Sequence, residues 1–219
     1  MNRLQIKYCG NKSLEDLEVT SRSNADYLGF IFAESKRKVD PTQLKQWLTE
    51  VNIGSKQLVG VFVNESISNI LSTIDEVPLS IIQCHGTETR EYLIELKERT
   101  SIPVWKVIHH TDISLNEMEN LSGIVDGYVI DSKVKGMWGG SGQTFNWSFI
   151  PDYIEEAKNQ NVPCFIAGGV NRENVGALLD FDIHGIDISS GIEEKGIKDK
   201  AIITKIEEQV TQYESSTRP

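Results

Sequence analysis

Cys9 is the residue best placed in this chain for covalent or proton-transfer chemistry: it closes a short apolar run and is followed at once by Gly10. A cysteine there is either a small buried apolar residue or, once ionised, a nucleophile or base. Lys7 lies two residues earlier, on the same face of an extended segment, where its charge is expected to lower the thiol pKa. Cys84 and Cys164 read as core residues. Asp131 ends the apolar stretch Gly127-Tyr-Val-Ile-Asp131. A carboxyl at such a rim is either an acid with a raised pKa or an acceptor for loop N–H groups. Asp187, two residues before Ser189, reads as a salt-bridge or loop-ordering acceptor, and Asp126 as structural.

Two stretches of small residues point to an anion. Gly168-Gly169 follows Phe165-Ile-Ala167, and Ser189-Ser190-Gly191 follows the last β-rich run. Small residues let backbone N–H groups converge on a ligand, and a helix that follows adds its dipole. The plainer reading is a pair of tight turns. Arg37 sits in the basic run Ser35-Lys-Arg-Lys38. Such a run is either a solvated loop or, in an acidic chain, a local cationic rim for an anionic substrate.

These groups share one position in the pattern: the C-terminal end of a short, β-rich, continuous apolar run. Eight such runs span 4–9, 27–32, 57–63, 80–84, 104–108, 124–130, 163–167 and 183–188. Continuous runs suit parallel strands covered on both faces, and their starts lie far enough apart for a strand plus a crossover helix. Helix starts are legible between them. Ser13 opens a capping box with Asp16, Asp40 precedes Pro41, Ser66 leads an Ile67, Ile70, Ile74 stripe, and Asn171 opens a helix buried through Val175 and Leu178. Further helices are expected over 149–158 and 198–213, with 214–219 fraying. Eight βα units without a linker read as one (β/α)8 TIM barrel spanning 1–219. A doubly wound sheet is the competing architecture, but no GxGxxG follows the first strand. The glycine-rich stretch 133–142 is of a kind that permits a mobile loop over a cleft.

Composition narrows the function. Lysine plus arginine number 22 against 32 acidic residues, a net charge of −10 that disfavours nucleic acid. Three scattered cysteines and four histidines show no zinc spacing, so no metal is expected. No apolar run approaches eighteen residues and the N-terminus is not a signal peptide, so a soluble cytoplasmic protein without membrane contact is expected.

Taken in order along the strand ends, these stretches resemble the phosphoribosylanthranilate isomerase family of tryptophan biosynthesis. The resemblance is carried by Lys7-Tyr-Cys-Gly10, Ser35-Lys-Arg37, Gln83-Cys-His-Gly86, Val129-Ile-Asp131, Gly139-Gly-Ser-Gly142, Ala167-Gly-Gly-Val-Asn171 and Asp187-Ile-Ser-Ser-Gly-Ile-Glu193, with a later Lys198-Asp199. It covers essentially the whole chain. It implies a cofactor-free Amadori rearrangement of a phosphosugar, N-(5-phosphoribosyl)anthranilate. It assigns the general base to Cys9, the general acid to Asp131 and a substrate contact to Arg37. The phosphate-holding turns fall on Gly168, Gly169, Ser190 and Gly191. Tyr8 and Asn11 depart from the hydrophobic residues common beside the cysteine, and Cys84 stands where leucine is usual. A barrel needs no partner, so a monomer is the default. Two alternatives remain open. One is another phosphate-anchored barrel enzyme, indole-3-glycerol-phosphate synthase-like or a Schiff-base aldolase working through Lys7 or Lys106. The other is a barrel that binds phosphosugars without turning them over.

Overall fold

A computed structural model describes residues 3–132 and 144–217. The expected mobile loop over 133–142 lies outside the described residues. Eight parallel strands close into a barrel in chain order: β1 (Gln5–Tyr8), β2 (Tyr27–Ile31), β3 (Gln57–Phe62), β4 (Ile81–Cys84), β5 (Val104–His109), β6 (Gly127–Asp131), β7 (Cys164–Ile166) and β8 (Gly185–Ile188). β8 pairs with β1 to complete the closure, with Lys7 opposite Asp187. Eight helices alternate with the strands: α1 (Leu14–Ser21), α2 (Pro41–Glu50), α3 (Ile67–Glu76), α4 (Arg90–Arg99), α5 (Ser114–Asn120), α6 (Ile150–Asn159), α7 (Val175–Leu179) and α8 (Lys200–Thr217). The (β/α)8 barrel expected from the sequence is the fold observed.

The helix starts follow their caps. Asp40 accepts from the N–H groups of Thr42 and Gln43 with Pro41 at the first helical position, and Ser66 and Thr89 cap α3 and α4. Ser13 accepts from Asp16 N as expected, but the return half of the capping box is spent elsewhere. The Asp16 carboxylate takes the N–H groups of Lys12 and of Lys198, which ties the start of α1 to a short hairpin, β9 (Glu193–Glu194) and β10 (Ile197–Lys198). The chain's end also differs from expectation. α8 runs on to Thr217, past the expected onset of fraying at 214, because Glu214 accepts the N–H of Leu4 at 2.8 Å and so anchors the last turns to the start of β1.

The core has two layers. Between strands and helices lies the larger one, which includes Leu28, Phe30, Leu93 and Ile206. Inside the barrel, Tyr27, Trp105 and Phe165 form a plug with ring centroids 4.9–5.5 Å apart. Gly185 makes room for it: a Cβ there would lie 2.4 Å from the Phe165 ring. Above this plug the period of two along each strand turns Lys7 and Cys9, Gln83 and His85, Asp131, and Asp187 and Ser189 toward the barrel axis. The bottom of the barrel is therefore filled, and polar groups gather at its C-terminal mouth.

Candidate active site

A cavity of about 450 Å³ opens at that mouth. Its lining includes Cys9, Arg37, His85, Asp131, Gly168, Gly169, Asp187, Ser189 and Ser190. Of the seven site residues expected from the sequence, six share this one cavity. Gly191 lies just behind it.

Cys9 is 7% exposed and packs on the bare face of Gly29, where a Cβ would come within 2.7 Å of its Sγ. Lys7 is fully buried beneath it and donates to Asp187 Oδ2 at 2.8 Å. The expectation that Lys7 lowers the thiol pKa is corrected in its net result. Burial pushes the Cys9 thiol up, Lys7 pulls it down, and burial outweighs that pull; Asp187 adds a smaller upward push. The Lys7 ammonium is itself held above its usual range, because the attraction of Asp187 and Cys9 together overcomes the burial that opposes it. Asp187 Oδ1 is buried and finds no hydrogen-bond partner among the described residues. Asn11, which looked like a departure, is a scaffold. Its amide donates to Tyr8 O and Gly29 O, and its carbonyl accepts from Thr20 Oγ1, which braces the backbone on both sides of Cys9.

Arg37 is buried and reaches across to β9. Its Nε and Nη2 donate to the two Glu193 oxygens at 2.7 and 2.8 Å, a bidentate pair. Glu193 also accepts from Lys198 Nζ at 3.0 Å, and that ammonium donates to Cys9 O at 2.7 Å and Ser189 O at 3.1 Å. Burial pushes the Glu193 carboxyl up, but its two cationic partners prevail and hold it down at about 2. Sequence reasoning assigned no role to Glu193 or Lys198. Their only signal was that they continue the motif after β8.

The small-residue turns have the conformations an anion site needs. Gly168 and Gly169 adopt φ of +77° and +68°, in the left-handed region. No acceptor is found for their N–H groups among the described residues. Ser190–Ile192 forms a single 3₁₀ turn, whose first amides are unspent by geometry. At Gly191 a Cβ would fall 1.9 Å from Val170 O, so only glycine lets the two turns meet.

Asp131 occupies the other side of the mouth, buried at 4% exposure. Its Oδ2 lies 3.3 Å from His85 Nε2, and its Oδ1 lies beside the bare face of Gly168. His85, His109 and Asp131 bring three possible metal-ligating atoms within 4.8 Å of one another. Sequence spacing missed this cluster because its members come from three different strand ends. His109 Nε2 is 3.1 Å from His85 O, so it is already engaged.

The lysines that an aldolase would need are committed. Lys106 donates to Gly86 O at 2.7 Å and Glu88 Oε2 at 2.9 Å, and Lys7 is held protonated by its neighbours. A Schiff-base lysine needs a depressed pKa and a free lone pair.

A family model described as N-(5'phosphoribosyl)anthranilate (PRA) isomerase matches residues 6–209. The chain is 52% identical over 213 residues to the N-(5'-phosphoribosyl)anthranilate isomerase of Geobacillus thermodenitrificans, covering 97% of this chain and 96% of the relative. The phosphoribosyl anthranilate isomerase of Thermotoga maritima superposes with a TM-score of 0.81 at 29% identity, over 95% of this chain and 99% of that one. A phosphoribosyl anthranilate isomerase in complex with reduced 1-(o-carboxyphenylamino)-1-deoxyribulose 5-phosphate superposes with a TM-score of 0.79 at 29% identity, over the same shares.

Proposed function

The chain belongs to the N-(5'-phosphoribosyl)anthranilate isomerase family, and from that premise we propose how its own residues carry out the Amadori rearrangement of N-(5'-phosphoribosyl)anthranilate to 1-(2-carboxyphenylamino)-1-deoxyribulose 5-phosphate. One observation carries the reading: a thiol just past the end of β1 and a carboxyl from β6 line a single cavity together with Gly168, Gly169 and Ser190. An acid and a base that serve one small sugar must flank it, and an anchored phosphate fixes which carbon each one meets.

The substrate phosphate binds the N–H groups of Gly168, Gly169 and the Ser190–Gly191 turn. Asp131, protonated, donates to the ribose ring oxygen; the C1′–O bond breaks and the nitrogen lone pair forms a protonated imine. Cys9 as thiolate removes the C2′ proton, and the C2′–H electrons flow into the imine to give an enolamine. Tautomerisation of the enol then gives the ketone. Across these steps C1′ is reduced as C2′ is oxidised within the same substrate, and protons pass to and from Asp131 and Cys9, so electrons balance without an external acceptor.

The raised thiol pKa has a consequence for this sequence. Burial holds the Cys9 thiol pKa up, and Lys7 alone does not overcome it. The cationic imine, formed beside the thiol, adds a second positive charge and favours thiolate when it is needed. Arg37, oriented by Glu193, faces the anthranilate end. Asp187 Oδ1, buried without a partner among the described residues, is placed to accept from a sugar hydroxyl.

The test follows loss of phosphoribosylanthranilate fluorescence in phosphate-free buffer for the wild type and for Cys9→Ser and Asp131→Asn. Turnover by the wild type, reduced roughly 10²-fold or more in each variant with ligand affinity kept, is the expected result. Wild-type-like turnover in either variant would remove that residue from its role.

A further inference from the structure

Gln83 and His85 are used by no step above, yet both face the barrel axis from β4 and the residue after it, and both carry an unsatisfied buried atom. Gln83 is fully buried, and its Nε2 lies 3.2 Å from His85 Nδ1. His85 Nε2 lies 3.3 Å from Asp131 Oδ2, just short of a formed hydrogen bond, and is otherwise unpartnered among the described residues, as is Gln83 Oε1. The three side chains thus make a line from the barrel interior to the carboxyl that serves as acid.

The polarity of that line follows from which atoms can be left unpaired. With Gln83 donating to Nδ1, one amide carbonyl oxygen is orphaned. Reversing the amide would orphan an NH₂ instead, and buried donors are left unpaired more rarely than carbonyl oxygens. Gln83 therefore makes Nδ1 the acceptor, which puts the imidazole proton on Nε2, facing Asp131 Oδ2. An oxygen that receives an N–H cannot also hold the acidic proton toward the same partner. The acidic proton is left to Oδ1, the oxygen beside the bare face of Gly168 and 3.5 Å from Ser132 Oγ. That oxygen stands next to the phosphate turns.

We propose that His85, with its tautomer set by Gln83, is a positioning residue that holds Asp131 through Oδ2 and so keeps the transferable proton on Oδ1, facing the sugar. The proposal rests on the reading of Asp131 as the general acid. When Asp131 has given up its proton, the same Nε2–H stabilises the carboxylate, so one contact serves both states. The other titratable groups around His85 come from β5 and its surroundings: His109, whose ring centroid is 5.2 Å away and whose pKa burial and His85 lower, and the Lys106–Glu88 pair.

The test is a kinetic cycle with His85→Leu, His85→Gln, Gln83→Met, Asp131→Asn and the double variant H85L/D131N, each checked for folding by far-UV circular dichroism. His85→Leu is expected to lose at least about tenfold in kcat with KM within about twofold of wild type. His85→Gln, whose amide N–H reaches the Nε2 position, is expected to recover most of that loss. In the D131N background His85→Leu is expected to cost nothing further, since a residue acting through Asp131 has nothing left to act on. Should His85→Leu fail to fold, Gln83→Met carries the same reading, with a loss of several-fold in kcat. If D131N shows its expected loss but the His85 and Gln83 variants match wild type, or if the losses multiply in the double variant, the proposal is overturned while the acid assignment stands. If D131N itself turns over normally, the acid assignment fails, and the proposal with it.

Discussion

The two flanks of the cavity are built from opposite materials. The base flank, from β1 and β8 to β9 and β10, packs charge: Lys7 with Asp187, and Arg37 and Lys198 with Glu193, all nearly excluded from water. The flank that carries Asp131, on β4 and β6, places no lysine or arginine against it among the described residues; its neighbours there are His85, Ser132 and Gly168. The difference matches the two tasks. A thiol must be coaxed to ionise against the cost of burial, which takes cations. An acid needs surroundings that do not favour its ionised form, and an adjacent permanent cation would favour it.

The comparison is tested hardest at the base. Cys9→Ser is expected to cost at least ~10²-fold in kcat, because a hydroxyl ionises many units above a thiol, whereas removing a merely structural sulfur would spare turnover. Iodoacetamide should label Cys9 before Cys84 and Cys164, with substrate protecting it. Because burial holds the Cys9 thiol above its ordinary value, its alkylation rate in the free enzyme should still be climbing at about pH 9. A rate already level at neutral pH would mean that the cations win over burial. On the acid side, Asp131→Asn should lose roughly 10²-fold in kcat, with binding kept.

Between the flanks, Gly169→Asp is expected to raise KM by one to two orders of magnitude, roughly what a few kcal/mol of like-charge intrusion costs. An unchanged KM in a folded variant would move the phosphate elsewhere. Glu193→Gln should raise KM more modestly by loosening Arg37. It should also change acid stability in a definite direction. A carboxyl held down at about 2 stabilises the fold above its ordinary value near 4.5, and that contribution is lost as pH falls toward 2. Acid unfolding of E193Q should therefore be shallower than that of wild type across this window; parallel curves would show that the buried set adds nothing. The smallest effect belongs to the exposed pair Lys158–Asp182. Lys158→Ala should move the thermal midpoint by no more than about 2 °C, since solvated pairs contribute little. A larger shift would blur the line between buried and exposed charge on which the comparison depends.

Much of this molecule is a local property of the chain. The continuous apolar runs, their spacing and the caps at Ser13, Asp40 and Ser66 dictate eight βα units, and the period of two along a strand sends Cys9, Asp131 and Asp187 inward together. Gly168 and Gly169 are legible as turn positions, and their left-handed backbones favour glycine; Gly191 is required by Val170 O, a contact made only in space. What the chain could not reveal by itself are the sums over space. Arg37 meets Glu193 across 156 positions, and Lys198 meets the Cys9 carbonyl across 189, only because β8 closes on β1. His85 reaches Asp131 only because β4 and β6 converge on one axis. The thiol illustrates the limit best. Lys7 two residues away is visible in the sequence and lowers the pKa, but the net shift is upward because desolvation depends on every group that excludes water from Cys9, and those groups come from the whole barrel.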